Sequence, residues 1–421
     1  MTIAYAGMTH LGLCSAIAAA SKGFPTLGFD PNADLVGKLE GGTLPVVEQG
    51  LDALLRKHRA QIRFTHDPAR LRECDLLYVA PDVPTDDSGG SDLTELDRLL
   101  ELVLAHSLPE AAVVVLSQVP PGYTRARQRP GRLLCYQVET LVFGRAVERA
   151  TKPERFIVGV PDPGQPLPRP LAAFLQAFGC PILPMRFESA ELTKISINCC
   201  LVASISVANT LAELCERIGA DWSEIAPALR LDSRIGAHSY LTPGLGLAGG
   251  NLERDLATVS RLSEEYGTEA AVIRAFLVNS AHCRNWALRV LHEAVLLRQE
   301  PPATLGILGL AYKENTHSVK NSPALALIRH LAPWPIRVYD PVVPASAAPH
   351  PAATGASSAL EAARGADALA IMTPWPEFGA MSCREIARTM RGSLVVDPYR
   401  VLNHEKALAA GLDHRTLGVP C

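Results

Sequence analysis

The most apolar stretch of the chain lies near its middle, between Ser189 and Gly219. Apolar residues occupy most faces of this stretch, which predicts one long helix that is buried on several sides. Ser189 is the expected N-terminal cap, and Gly219 can adopt the left-handed turn that ends a helix. The mainly apolar part, Ile195 to Val207, is short and is interrupted by Asn198, so we do not expect it to span a membrane.

Three polar residues recur along one face of this predicted helix, and they are Glu191, Lys194 and Asn198. A lysine and an amide on a core-facing part of a helix are costly unless they have partners. The pattern therefore leaves two alternatives, a structural hydrogen-bonded pair or a substrate site at a domain junction.

The N-terminal pattern is a short apolar strand, the turn G-M-T-H-L-G, an apolar helix and a second strand that ends in an acid. Gly7 and Gly12 flank the turn, Thr9 stands where a second glycine is typical, and Asp30 ends the second strand. Such a βαβ unit binds a dinucleotide, with the pyrophosphate at the helix N-terminus and the acid on a ribose. We expect cofactor binding that is weakened by the Cβ of Thr9. The alternative is a plain βαβ unit without a cofactor.

Further strand, loop and helix segments precede and follow the central helical region. The glycine-rich stretch TPGLGLAGGNLERD is too long for a simple turn, which favours a functional loop over a linker. Glu300-Pro301-Pro302 is the clearest boundary, and a second α/β unit begins at Thr304. We predict an α/β fold with two Rossmann-like doubly wound domains joined by a long central helix. The predicted segments are 1–187, 188–300 and 301–421.

The composition narrows the class of protein. A chain of 421 residues exceeds what one hydrophobic core usually supports. Its net charge of −3 suggests no nucleic-acid partner. The 10 cysteines include no C-x-x-C pair, and the N-terminus lacks a signal-peptide pattern. We therefore expect a cytoplasmic protein with reduced thiols, no metal site and no membrane partner.

The order of eleven motifs resembles that of the UDP-glucose/GDP-mannose dehydrogenase family over essentially the whole chain. They are the first βαβ unit, SQVPPGYT, ERFIVG, AELTKISIN, NTLAELCERIGAD, DSRIG, GLGLAGG, GLAYKENT, SPAL, VYDP and ADALAIMTPWPEF. The resemblance implies an NAD-binding domain, a central dimerisation helix and a C-terminal nucleotide-sugar domain. It also implies oxidation of a sugar C6 alcohol to a carboxylate in two hydride transfers, with the aldehyde held on a cysteine.

The resemblance assigns roles to individual residues. The implied catalytic residues are Lys194, Asn198, Asp255 and Glu139, with Asn251 at the position of the family's cysteine. The implied cofactor-binding residues are Gly7, Thr9, Gly12, Asp30, Ser117 and Gln118. The implied substrate-binding residues are Gly246, Arg254 and Lys313, together with Arg234 acting across a homodimer interface.

Six residues depart from the family pattern at or beside expected ligand contacts, and they are Thr9, Gln118, Val138, Phe143, Asn251 and Arg254. An amide at position 251 cannot form the thioester. One hypothesis is a redox enzyme with altered chemistry that stops after one oxidation or epimerises the sugar. A second is a non-catalytic protein that binds a nucleotide sugar. A third is a 3-hydroxyacid dehydrogenase, which the additional α/β unit from Thr304 disfavours.

Overall fold

A computed structural model describes residues 1–86, 89–297 and 303–420, which form two compact units, residues 1–197 and 198–421. The expected boundary at Glu300-Pro301-Pro302 lies outside the described residues. The division into three segments at 187 and 300 stays a prediction.

The first unit is built on an eight-stranded sheet with the strand order β3-β2-β1-β4-β5-β6-β7-β8. Neighbouring strands are parallel except for β6 and β7, which are antiparallel. The strands are β1 (Ile3–Ala6), β2 (Thr26–Phe29), β3 (Ile62–Thr65), β4 (Leu76–Val79), β5 (Ala112–Val115), β6 (Leu133–Gln137), β7 (Phe156–Val160) and β8 (Ile182–Arg186).

Helices cover both faces of this sheet, and the central strands are therefore rich in apolar residues. All residues of β1, β2, β4 and β5 are buried, as expected for parallel strands with two covered faces. The helices are α1 (His10–Ser21), α2 (Ala33–Glu40), α3 (Leu51–Lys57), α4 (Thr94–His106), α5 (Tyr123–Ala126), α6 (Ala146–Thr151) and α7 (Arg169–Gln176).

The long helix α8 runs from Phe187 to Ile218 and has 32 residues. It begins two residues before Ser189, so the expectation that Ser189 caps it is wrong. By length and composition α8 could cross a membrane, and one third of its most apolar window is buried. The expectation that it is too short for a span is therefore wrong, and the absence of a membrane partner stays a prediction.

The second unit begins within α8 and continues through a helical region. Its next helices are α9 (Trp222–Leu231), α10 (Asn251–Tyr266), α11 (Ala271–Arg284) and α12 (Trp286–Leu291). Asn285 separates α11 from α12. A π-helical turn, His292–Leu296, follows α12.

A six-stranded parallel sheet completes the second unit, with the order β11-β10-β9-β12-β13-β14. Its strands are β9 (Leu305–Leu308), β10 (Ile336–Tyr339), β11 (Ala353–Gly355), β12 (Ala368–Ile371), β13 (Leu394–Val396) and β14 (Asp413–Arg415). Its helices are α13 (Pro323–Arg329), α14 (Ala359–Ala363), α15 (Pro376–Gly379), α16 (Cys383–Thr389) and α17 (His404–Ala409). Both sheets contain the 3-2-1-4-5-6 order of a Rossmann fold, which confirms the predicted fold class.

Candidate functional site

The turn between β1 and α1 requires its two flanking glycines. Gly7 has a φ of +95°, and a Cβ there would lie 2.8 Å from the backbone nitrogen of Pro81. A Cβ on Gly12 would lie 1.8 Å from the carbonyl oxygen of Gly7. Thr9 is the N-cap residue of α1 but makes no side-chain cap. Its Oγ1 instead accepts a hydrogen bond of 2.8 Å from the backbone N–H of Asp82.

Asp30 lies directly after β2 and is buried beside this turn. Its carboxylate accepts hydrogen bonds from the backbone N–H of Met8 at 2.8 Å and of Asn32 at 3.0 Å. Ser117 follows β5, and its Oγ donates to the carbonyl oxygen of Pro81 at 2.5 Å. Gln118 is half-buried beside it. The cofactor-binding residues expected from the sequence therefore lie at the carboxyl edge of the first sheet, where ligands of such sheets bind.

A side-chain carboxylate of the protein itself is bound at the N-terminus of α1. The carboxylate of Asp82, in the loop after β4, accepts hydrogen bonds from the backbone N–H of His10 at 3.0 Å and of Leu11 at 3.3 Å. Sequence reasoning did not identify Asp82. The available signal was an acid just past the end of β4, at the same sheet edge as the glycine turn. The two glycines and Asp30 fit a dinucleotide. The carboxylate of Asp82, however, occupies the position expected for the pyrophosphate.

A second cluster joins α1 to the loop after β6. His10 Nε2 lies 3.0 Å from Glu48 Oε2, and the His10 ring stacks on Phe143 with centroids 4.3 Å apart. The Glu48 carboxylate also accepts from the backbone N–H of Gly144 at 3.1 Å and of Ala146 at 3.0 Å. Burial favours a higher pKa for Glu48, but these hydrogen bonds outweigh it and hold the pKa below its usual range. Phe143 therefore has a structural role, because it belongs to the cluster that holds this loop next to α1.

Lys194 and Glu139 form a close ion pair within the first unit. Lys194 Nζ lies 2.7 Å from Glu139 Oε1, and the two side chains are 13% and 17% exposed. The other oxygen, Oε2, accepts from the backbone N–H of Leu141 at 2.9 Å. The pair places a cation and a carboxylate side by side in a largely water-free position.

Glu191 of the same helix has a structural role instead. It is fully buried and accepts hydrogen bonds from the backbone N–H of Gly122 at 2.6 Å and of Thr124 at 2.8 Å. These bonds satisfy backbone N–H groups at the start of α5 that have no partner within the helix. Burial raises the pKa of Glu191. Within the polar stripe of α8, Glu191 is a structural partner, and Lys194 pairs with another charged side chain. The substrate-site alternative for Lys194 and Asn198 stays a prediction.

In the second unit, Asn198 and Asp255 form a buried pair. Asn198 Nδ2 donates to Asp255 Oδ2 at 2.5 Å, and the residues are 8% and 1% exposed. Arg254 Nε lies 3.4 Å from the other carboxylate oxygen of Asp255. The amide and the guanidinium together hold the carboxylate in one orientation. A group that accepts or donates a proton in catalysis needs such a fixed position.

Asn251 is the first residue of α10 and is exposed. The preceding loop is shaped by glycines, and a Cβ on Gly246 would lie 2.4 Å from the carbonyl oxygen of Ser280. A thiol also lies in this region. Burial and the charge of Asp255 raise the pKa of Cys199 to about 11. Cys199 is therefore a protonated thiol near neutral pH, a poor nucleophile.

The two remaining substrate-binding residues expected from the sequence lie in different environments. Arg234 is paired with Asp232 Oδ2 at 2.6 Å, and its side chain is 87% exposed. Lys313 lies in the loop after β9, with Nζ 5.7 Å from the centre of the Tyr312 ring. No three His, Cys, Asp or Glu side chains converge as a metal site in the part of the chain that the structure describes.

Three family models match successive parts of the chain. Residues 1–166 match the NAD binding domain of the UDP-glucose/GDP-mannose dehydrogenase family, residues 188–281 match its central domain, and residues 306–404 match its UDP binding domain. NAD is therefore the cofactor of the first domain, and the C-terminal domain is of the kind that binds a nucleotide sugar.

Relatives match along the full length. UDP-glucose 6-dehydrogenase TuaD of Bacillus subtilis is 28% identical over 434 residues, which cover 99% of this chain and 93% of that protein. A UDP-glucose 6-dehydrogenase of Pseudomonas aeruginosa is 28% identical, with 100% and 98% covered.

Solved structures have the same architecture. A UDP-glucose dehydrogenase from Pyrobaculum islandicum has a TM-score of 0.85 at 26% identity, with 100% of this chain and 98% of that chain covered. A UDP-D-ManNAc dehydrogenase from Pyrococcus horikoshii also has a TM-score of 0.85, at 24% identity and 99% coverage of both chains, and supports the fold. With all three of its domain models matched in order, the chain belongs to the UDP-glucose/GDP-mannose dehydrogenase family of NAD-dependent oxidoreductases.

Proposed function

We propose that this protein is an NAD-dependent oxidoreductase that acts on a UDP-sugar or a related nucleotide sugar with altered chemistry. It performs a single oxidation or an epimerisation rather than the two-step oxidation to a uronate. The observation that carries the proposal is Asn251, the first residue of α10, at the position that the family resemblance assigns to the catalytic cysteine. The resemblance and the comparisons with UDP-sugar dehydrogenases support the substrate class.

The family resemblance assigns two polar pairs to the reacting sugar, and their groups can supply what a first oxidation needs. NAD bound in the first domain would supply the hydride acceptor for the sugar carbon. Lys194 can stabilise a developing alkoxide, and Glu139 keeps the ammonium group in place at 2.7 Å. Asp255, oriented by Asn198 and Arg254, can accept the hydroxyl proton or hold a water molecule. None of these functions requires a thiol.

A second oxidation requires more than these residues provide. An aldehyde must first become a tetrahedral adduct, because its C–H bond can release a hydride only when an oxygen on that carbon forms the new carbonyl as the hydride leaves. A thiolate forms that adduct readily, but the amide of Asn251 is not a nucleophile. Cys199 has a pKa of about 11 and is not a thiolate near neutral pH. We therefore expect an aldehyde, a ketone or an epimer as the product.

A non-catalytic nucleotide-sugar-binding homologue is the second candidate function. The Phe143 ring favours it, because an apolar ring stacked on His10 stands at one of the positions that depart from the family pattern. The intact pairs of Lys194 with Glu139 and of Asn198 with Asp255 favour the enzyme, since a pure binding protein would not require them.

We further propose a cytoplasmic homodimer. Four apolar residues of α8 at helical spacing, Val207, Leu211, Leu214 and Ile218, are 54%, 39%, 50% and 65% exposed. A second copy of the chain can bury this stripe through a two-fold interface. The exposed Arg234 guanidinium can then reach a nucleotide sugar bound to the partner. The nine cysteines of the described residues are free, which is typical of a reducing compartment.

The test is an incubation of purified protein with NAD and a set of nucleotide sugars, with NADH and product mass followed together. We expect at most one NADH per sugar and no carboxylate product. A uronate formed with two NADH per turnover would contradict the role assigned to Asn251. The absence of both turnover and a mass change, with nucleotide-sugar binding measurable by calorimetry, would favour the non-catalytic alternative.

The variant Asn251→Cys tests the same position by introducing the cysteine that the family pattern has there. A cysteine alone should restore little uronate formation, because Arg254, Gln118 and Phe143 remain around the expected ligands. The matched control is Cys200→Ser, which removes an exposed thiol of α8 and should leave the product unchanged. Efficient uronate formation by Asn251→Cys would show that the missing thiol was the sole barrier.

A further inference from the structure

The carboxylate of Asp82 lies where a dinucleotide needs an unoccupied helix N-terminus. It accepts from the first two N–H groups of α1, those of His10 and Leu11, at 3.0 and 3.3 Å. α1 has 12 residues, so its N-terminus is a strong partial positive charge. In Rossmann domains these same N–H groups bind the pyrophosphate. A carboxylate and a pyrophosphate cannot occupy the same donors.

The backbone of the Asp82 loop is fixed next to the glycine turn. The N–H of Asp82 donates to Thr9 Oγ1 at 2.8 Å, and Pro81 packs against Gly7. A glycine at position 9 would offer no side-chain oxygen to this N–H. Thr9 therefore holds the backbone of Asp82 close to the helix. The Asp82 residue itself is exposed, so its side chain can rotate into solvent while the loop stays in place.

We propose that Asp82 is an affinity-determining residue of the cofactor site: its carboxylate competes with the pyrophosphate of NAD for the N-terminus of α1 and must leave when NAD binds. This inference rests on the proposed function, because it concerns the same cofactor. It replaces the expectation that Thr9 alone weakens binding. Hydrogen bonds to a charged group are among the stronger ones, and their loss opposes NAD binding by roughly tenfold or more in dissociation constant.

The experiment compares NAD binding by calorimetry to wild type, Asp82→Ala, Asp82→Asn and the control Asp52→Asn. Asp52 is an exposed aspartate in the first turn of α3, and it matches the charge change on the same unit. We expect Asp82→Ala to bind NAD about tenfold more tightly than wild type. Asp82→Asn should lie between the two, because an amide oxygen accepts more weakly, and Asp52→Asn should match wild type within about twofold.

A second measurement does not require the cofactor. The amide proton shifts of His10 and Leu11 report on the hydrogen bonds to the carboxylate, and both should move upfield in cofactor-free Asp82→Ala. In wild type they should respond to saturating NAD, as a pyrophosphate replaces the carboxylate. If Asp82→Ala does not fold, Asp82→Asn carries the same comparison with a smaller expected change.

The outcomes separate the inference from the proposed function. Equal NAD affinities for wild type and both Asp82 variants would overturn the competition and leave an NAD-dependent enzyme in place. No NAD binding by any variant at millimolar concentration would overturn both, since removal of the carboxylate should expose the donors. Tighter binding by Asp82→Ala without a change in Asp52→Asn supports the competition.

Discussion

The side-chain amide of Asn198, on α8, donates a 2.5 Å hydrogen bond to the carboxylate of Asp255, on α10, and both residues are buried. The two residues are 57 positions apart in sequence. A buried carboxylate is costly without donors, so this bond contributes to the stability of the second unit as well as to the orientation of Asp255.

Asn198→Ala should therefore destabilise the protein by about 1–3 kcal/mol, because it removes a donor from a buried charge. The measurement is the free energy of unfolding in urea. The matched control is Asn279→Ala on α11, whose amide bonds the Thr210 hydroxyl in a more exposed position and should cost less. A smaller loss for Asn198→Ala than for Asn279→Ala would contradict this account.

Lys194 and Glu139 should be energetically coupled. Their atoms are 2.7 Å apart and largely shielded from water, so either single removal leaves a partly buried charge. A double-mutant cycle of Lys194→Met and Glu139→Gln should give a coupling free energy of about 0.5–3 kcal/mol. The reference is a cycle on the exposed pair Arg145 and Glu148, which should give less. Additive effects for the Lys194 pair would rule out a preorganised pair.

Glu48 should make stability depend on pH in the acid range. Its pKa is lowered in the folded protein, so the unfolded chain binds a proton first as the pH falls. The stabilisation is complete above the usual pKa of 4.5 and is lost as the pH falls through the lower folded-state value. Glu48→Gln should be less stable than wild type at pH 7 by about 1–3 kcal/mol.

That difference should shrink on acidification, because protonated Glu48 and glutamine are both neutral. A urea unfolding series from neutral pH to about pH 3 measures it, well below the ordinary glutamate range. Glu110→Gln, at an exposed glutamate of the same unit, is the control and should show little pH-dependent difference. A difference in unfolding free energy between wild type and Glu48→Gln that stays constant with pH would contradict this prediction.

The apolar stripe of α8 should mediate dimerisation. Leu214→Asp places a charge in the middle of the stripe and should weaken association by about 3 kcal/mol, roughly a hundredfold. Light scattering at micromolar concentration should find wild type dimeric and the variant shifted to monomer. Val47→Asp, at a 94% exposed position of the first unit, should stay dimeric. A wild-type monomer would exclude both the interface and a role for Arg234 in the partner's site.

The fold class could be predicted from the amino-acid sequence, because the strongest signals in the sequence are local. Continuous apolar runs such as β5 specify buried parallel strands, and the tight turn from Gly7 to Gly12 tolerates no side chain at either end. The order of family motifs then predicted which domains the chain contains. The assignment of chemistry to Asn251 depends on that resemblance and stays a proposal.

The contacts between polar groups could not be predicted from sequence, because they form only when distant segments pack together. The polar stripe of α8 looked uniform in sequence, yet Glu191 satisfies α5 whereas Asn198 holds Asp255. Helix ends were also decided by context, since α8 begins before its apparent cap at Ser189. Asp82 and His10 are 72 residues apart in sequence, and parallel pairing of β1 with β4 brings their segments to one sheet edge. No local sequence pattern predicts the contact between Asp82 and His10. It is stabilised by the dipole of α1, which the Asp82 loop meets only in the folded chain.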